Sequence, residues 1–234
     1  MPRAAPKVVL IDAMFTIFTP KNGLSRLQIT QNLIKKLLGR KTTSEKLKKV
    51  YAEKRKKWER KLPARHSDKW TTINREIILA LFPDVPFEKA ERAGRKISLE
   101  FLTNADFYTV LNDTRIFLQK ARERGIRIII ASNQDKNRLK ILLRRFNLNN
   151  LFHAVYTSTE IGAEKPEPRF FQAILKKEKL KAGDCLMVGN NPKNDVWGAR
   201  RVGIQPILYL KEKRDDVSSD CKIIKRLTEI LTLV

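Results

Sequence analysis

The chain's first compact apolar run covers residues 8–11 and ends in Asp12. From about residue 127 onward, similar Ile-, Val- and Leu-rich runs alternate with amphipathic helical patterns. Strands are expected at 127–132, 153–157, 184–188 and 205–210, with helices between them at 136–146, 168–177 and 195–202. The runs lack polar alternation, as suits strands covered on both faces. Strand and helix repeating at this spacing predict βαβ units and an α/β fold with a mostly parallel sheet.

Residues 19–104 follow another rule. No strand pattern stands out there, and apolar residues recur at spacings of three and four. Leu47, Val50, Tyr51, Trp58 and Leu62 mark one helix over 43–62, capped by Thr43 or Ser44. Further helices are expected at 24–38, 69–81 and 86–102, with a break at the Pro83 and Pro86 segment. The spacing puts Tyr51 and Trp58 on the apolar stripe, so core packing is expected of them. The pattern therefore divides the chain into an α/β part, 1–18 and 105–234, and an all-helical insert, 19–104.

Composition narrows the class. Of the 234 residues, 42% are hydrophobic, as in ordinary globular proteins. The apolar runs are far too short to cross a bilayer, so no membrane association is expected. Basic Arg3 and Lys7 precede a run that contains Asp12 and no small-residue cleavage site, so no signal peptide is expected. Cys185 lies in an apolar run as a core residue. With Cys221 it forms no disulfide framework, and a reducing, cytoplasmic setting is expected. His66 and His153 fit no metal spacing, which removes zinc and histidine-triad chemistry. No feature of the pattern sets an oligomeric state.

Charge adds a different clue. There are 49 Lys and Arg against 25 Asp and Glu, a net +24. Residues 19–104 hold 22 of the basic and 9 of the acidic residues, many of the lysines on the helix over 43–62. Such a surface attracts polyanions, RNA or a ribonucleoprotein among them, although no nucleic-acid-binding motif is present.

In parallel α/β folds, ligands bind beyond the carboxyl ends of the strands. Asp12, Ser132, Lys165 and Asp195 all fall there. A strand-end Asp or Ser is most often a helix cap, and a loop Lys is most often solvated. Two carboxylates, a hydroxyl and an ammonium at successive strand ends make a site.

These residues lie in four ordered motifs: Asp12-Ala-Met-Phe-Thr16, Ile-Ala-Ser132-Asn133, the segment from Ser158 to Lys165-Pro-Glu-Pro, and Gly189-Asn190 followed by Asp195. In them the chain resembles the haloacid dehalogenase (HAD) superfamily, in the branch with a helical cap inserted after the first strand. The resemblance covers nearly the whole chain and implies a Rossmann-like core. It implies that Asp12 attacks a small phosphorylated or otherwise activated substrate. Ser132 and Lys165 would hold the transferring group, with Thr16 and Asn133 contributing to substrate binding. Asp12, the Met14 carbonyl, Asn190 and Asp195 would hold Mg²⁺, and the cap would close over the site and choose the substrate.

Three positions depart from the phosphatase pattern. Met14 replaces the Asp that protonates the leaving group and activates water. Phe15 replaces a small Gly, and Asn190 replaces an acidic metal ligand, weakening the Mg²⁺ site. The departures leave three readings: a hydrolase restricted to good leaving groups, an inactive HAD-like protein that binds RNA or a ribonucleoprotein through its basic cap, or dehalogenase-like chemistry. For the last, Arg40 is the nearest candidate for a halide-binding arginine.

Overall fold

The computed structural model describes residues 7–21, 25–59, 66–210 and 221–234. Arg3 and Leu62, singled out above, and position 24, the start of one expected helix, lie outside them. The chain divides into two compact units, one of Met1–Thr19 and Thr109–Val234, the other of Pro20–Tyr108.

In chain order the elements begin with β1 (Val8–Ile11) and β2 (Phe18–Pro20). Four helices follow: α1 (Arg26–Leu38), α2 (Ser44–Glu59), α3 (His66–Leu81) and α4 (Phe87–Thr103). Next come β3 (Tyr108–Val110), α5 (Thr114–Glu123), β4 (Arg127–Ser132), α6 (Lys136–Arg145) and β5 (Ala154–Thr157). Short α7 (Ser158–Ile161) and α8 (Pro168–Glu178) lead to β6 (Cys185–Gly189). After a π-helical turn, Pro192–Trp197, come α9 (Gly198–Arg200), β7 (Gln205–Tyr209) and β8 (Lys222–Ile224).

The larger unit is an α/β sheet of six strands in the order β5-β4-β1-β6-β7-β8, every neighbour pair parallel. Strand β1 is central, in register with β4 (Ile11 beside Ile130) and β6 (Ile11 beside Val188). Side chains alternate faces along a strand. Val8, Leu10, Ile129, Ala131, Cys185 and Met187 pack with Phe170, Phe171 and Ile174 of α8. Their alternates Val9, Ile11, Ile128, Ile130, Leu186 and Val188 are buried as well. Both faces are therefore covered, which is why the strands read as unbroken apolar runs. Strands β2 and β3 form a separate two-stranded sheet.

The smaller unit is helical. Ser25 opens α1 with a capping box: its Oγ accepts from the Gln28 N–H, and Gln28 Oε1 accepts from the Ser25 N–H. The helix stops at Gly39, whose φ of 69° suits a residue without Cβ. Thr43 caps α2 through the Lys46 N–H. Leu47, Ile73, Ile77, Ile78, Ala90 and Ile97 fill the core. Tyr51 stacks on Trp70 at 6.5 Å between ring centroids, on the core side of α2. Helices α3 and α4 meet closely at Gly94, where an added Cβ would lie 2.8 Å from the Arg75 nitrogen. The solvent side of α2 carries exposed Lys46, Lys48, Lys49 and Lys56. Among the described residues, no helix is long and apolar enough to cross a membrane.

The helix expected over 195–202 begins earlier and differently. Asn191 Oδ1 accepts from the Lys193 and Asn194 N–H groups, and Pro192 occupies the first turn, where its missing N–H costs nothing. The result is a π-helical turn that reaches Trp197 before α9 begins.

Candidate active site

Asp12 follows directly on β1, and its N–H continues the ladder by donating to the Val188 carbonyl at 2.8 Å. The chain then turns tightly, since the Ala13 carbonyl accepts from both the Ile17 and Phe18 N–H groups at 2.9 Å. The Phe15 N–H donates to the Phe18 carbonyl, and Phe15 itself sits at φ 63°. Met14 is buried, and Thr16 is fully buried with a hydroxyl that has no hydrogen-bond partner.

Three charged side chains meet beside this turn. Lys165 Nζ donates to Asp12 Oδ1 at 2.7 Å and to Asp195 Oδ1 at 2.6 Å. All three residues are buried. Burial pushes the Asp12 carboxyl up to about 6, opposed by the Lys165 ammonium and aided by the negative charge of Asp195. Burial also works to depress Lys165, but the two carboxylates outweigh it and hold the ammonium above its usual range.

Each member of the trio is held by its own element. Lys165 lies in the loop after α7, where Asn133 clasps its main chain. The Lys165 N–H donates to Asn133 Oδ1 at 2.7 Å, and Asn133 Nδ2 donates to the Lys165 carbonyl at 2.8 Å. Ser132 closes β4, buried, with its Oγ accepting from the Gln134 N–H at 3.3 Å. Asp195 lies in the π-helical turn, its Oδ2 accepting from the Asn191 N–H at 2.9 Å. This placement requires Gly189, because an added Cβ there would fall 2.2 Å from Asp195 Oδ2. Asn190, between them, is half-buried.

The site therefore brings together Asp12, Lys165 and Asp195 directly, with Asn133 one step behind. Arg40 is engaged elsewhere, paired with Asp84 within the helical unit. The sequence places Gly189 in the fourth motif without showing its role, and gives no role to Asn191. The Asn-Pro dipeptide and a glycine at a strand end were the available signals.

The family model described as haloacid dehalogenase-like hydrolase matches residues 5–203. The chain belongs to this family. Among HAD relatives, the chain is 29% identical over 137 residues to a phosphoserine phosphatase of Thermus thermophilus, a match covering 57% of this chain and 55% of the relative. It is 35% identical over 97 residues to a glyceraldehyde 3-phosphate phosphatase of Pyrococcus abyssi, covering 41% of this chain and 40% of that protein. The chain thus spans about half the length of the curated relatives it matches. A magnesium-bound HAD-hydrolase from Bacillus subtilis superposes with a TM-score of 0.75 at 14% identity, over 97% of this chain and 98% of that one. A 2-haloacid dehalogenase from Pseudomonas syringae gives 0.70 at 16%, over 97% of each chain. At these identities the two structures establish the HAD fold alone.

Whether the site suits Mg²⁺ is a question of donors and charge. Among the described residues, no three His, Cys, Asp or Glu side chains group to hold a metal. Two carboxylates are nonetheless enough for Mg²⁺, which commonly keeps several waters and takes one or two protein carboxylates. With all three groups ionised, the trio carries one net negative charge, which by itself repels a phosphate. The donor set fits a small hard cation that would reverse that sign.

Proposed function

We propose that this HAD-family chain is a phosphohydrolase that uses Asp12 as nucleophile on small phosphates whose leaving groups depart unprotonated. The observation that carries this reading is the buried ammonium of Lys165, shared between Asp12 and Asp195. A structural ion pair needs only one carboxylate. A second one against the same ammonium raises the electrostatic cost of the fold, as expected where groups are held for chemistry.

In the first step an Asp12 oxygen attacks phosphorus. The bond from phosphorus to the leaving oxygen breaks, and its electron pair leaves with that oxygen. In the second, water attacks the aspartyl phosphate, the bond from phosphorus to Asp12 breaks, and the carboxylate is regenerated as the water's proton passes to phosphate and solvent. Lys165 and Ser132 hold the transferring oxygens and offset their charge. Asn133 positions Lys165 through the main-chain clasp, and Thr16 contributes to substrate binding. Asp12, Asp195, Asn190 and the Met14 carbonyl would hold Mg²⁺. When bound, the ion supplies the positive charge that lets an anionic phosphate approach Asp12.

Met14 limits the chemistry. A thioether neither donates nor accepts a proton, and a positioned general acid or base is worth roughly 10²–10⁴ in rate. Wild type is expected to turn over acetyl phosphate and an aryl phosphate and to leave an alkyl sugar phosphate nearly untouched. Met14→Asp should raise the sugar phosphate rate toward the other two, read as steady-state phosphate release in Mg²⁺. Comparable wild-type rates on all three would sink the restricted reading.

The exposed lysines of α2 support a second reading, sequence-independent attraction of RNA phosphates. It expects an RNA mobility shift that weakens with salt and is lost when Lys46, Lys48, Lys49 and Lys56 are changed to Gln. Absence of any shift at physiological salt would reject it.

A further inference from the structure

Resting on the phosphohydrolase reading, we infer that the substrates are phosphate esters with a flat aromatic leaving group, and that Phe15 is the residue that selects them.

Two independent observations converge on this class. The first is Met14, which by the resemblance to the family's phosphatases stands where they carry the acid that protonates the leaving group. Without such a donor, the leaving oxygen must be stable as an anion. Aryl and acyl phosphates meet that requirement, and esters of ordinary alcohols do not. Met14 alone does not separate the first two.

Phe15 does. It stands three residues after Asp12 on the nucleophile turn, with 51% of its surface exposed. An exposed Phe carries little by itself, because apolar atoms make up much of any protein surface. This one also has a φ of 63°, in the left-handed region that a bulky side chain rarely adopts. The turn is closed around it by the Phe15 N–H to Phe18 carbonyl bond and the two bonds to the Ala13 carbonyl. A glycine would satisfy the same backbone without strain. The turn thus keeps a strained aromatic residue that is half exposed, an arrangement that does little for stability. Strained residues next to reactive groups are a common device for presenting a side chain to a ligand. The chemistry a solvated ring offers a ligand is an offset-stacked or edge-to-face contact with another ring. An alkanoyl phosphate such as acetyl phosphate has no such ring, and an aryl phosphate does.

Asp12 oxygen bonds to phosphorus, the bond from phosphorus to the aryl oxygen breaks, and the aryloxide takes the electron pair.

The test compares phenyl phosphate with hexafluoroisopropyl phosphate, a non-aromatic ester whose leaving group is of similar acidity, in Mg²⁺. Wild type should prefer the aryl ester in kcat/KM, mainly through KM. In Phe15→Gly that preference should fall about tenfold, while the melting temperature stays at or above that of wild type. Phe15→Tyr should retain the preference. An unchanged ratio in Phe15→Gly overturns the assignment of Phe15. If wild type cleaves neither ester, the phosphohydrolase reading fails, and calorimetric binding of benzylphosphonate against propylphosphonate still decides the present one. Tighter binding of the aromatic ligand, lost in Phe15→Gly, supports it. Equal binding, or none, overturns it.

Discussion

Asp12→Asn is expected to abolish turnover of an aryl phosphate while leaving the protein at least as stable as wild type. The two halves arise from one cause. The amide lacks the charge and nucleophilicity needed to attack phosphorus, so no aspartyl phosphate forms. The same replacement removes a buried carboxylate whose ionised form is disfavoured, because Asp12 is pushed from 3.8 to about 6 chiefly by burial. A carboxyl whose folded value is raised binds its proton more tightly in the native state than in the unfolded one. Stability from that proton is present below pH ~4 and is lost as pH rises through ~6, an effect on the order of 3 kcal/mol. Chemical denaturation of the two proteins in chelator should therefore show wild type losing ground to Asp12→Asn across this window. Residual turnover in the variant would remove Asp12 from the chemistry. A variant markedly less stable than wild type at pH 7 would mean that Asp12 is a structural partner of Lys165.

Lys165→Met is expected to do the opposite to stability. It leaves two buried carboxylates with no cation between them, and breaking a buried ion pair by removing one partner costs about 3–5 kcal/mol. Activity should vanish as well, which alone would say little, because a collapsed site is inactive for any reason. The informative measurement is the double variant. If the trio acts as one electrostatic unit, Lys165→Met should cost clearly less in the Asp12→Asn background, where a single carboxylate is left exposed to the loss. Additive costs in denaturation would show that the lysine stabilises the protein through something other than these two charges.

Much of the α/β fold was legible because its strands are buried on both faces. Val8 to Ile11 and Arg127 to Ser132 show this plainly, with each residue of the first run and nearly all of the second buried. Elements that bury little were not legible. Strand β8 buries only Ile224 of three residues. Helix α5 is a different omission, since its Phe117, Leu118 and Ala121 fall at helical spacing and are buried as fully as the stripe of α6. The π-helical turn escaped notice because a side-chain cap by Asn191, invisible to periodicity, sets where it begins. At the site, residue types at strand ends pointed to Asp12, Lys165 and Asp195. The geometry adds what spacing does not carry: that one ammonium serves both carboxylates, and that Phe15 sits in a left-handed turn.

The clasp between Asn133 and the Lys165 main chain bears on how the protein responds to ionic strength. The seat of the lysine is fixed by two uncharged hydrogen bonds, and its charged end lies buried. Mobile ions screen exposed charges beyond about 8 Å at physiological salt and reach buried pairs far less. Adding salt should therefore leave the trio's arrangement intact while stripping counterion attraction from the lysine-covered face of α2. Behaviour that fades with salt reports on exposed charge such as the α2 lysines, and the buried trio contributes only to behaviour that persists.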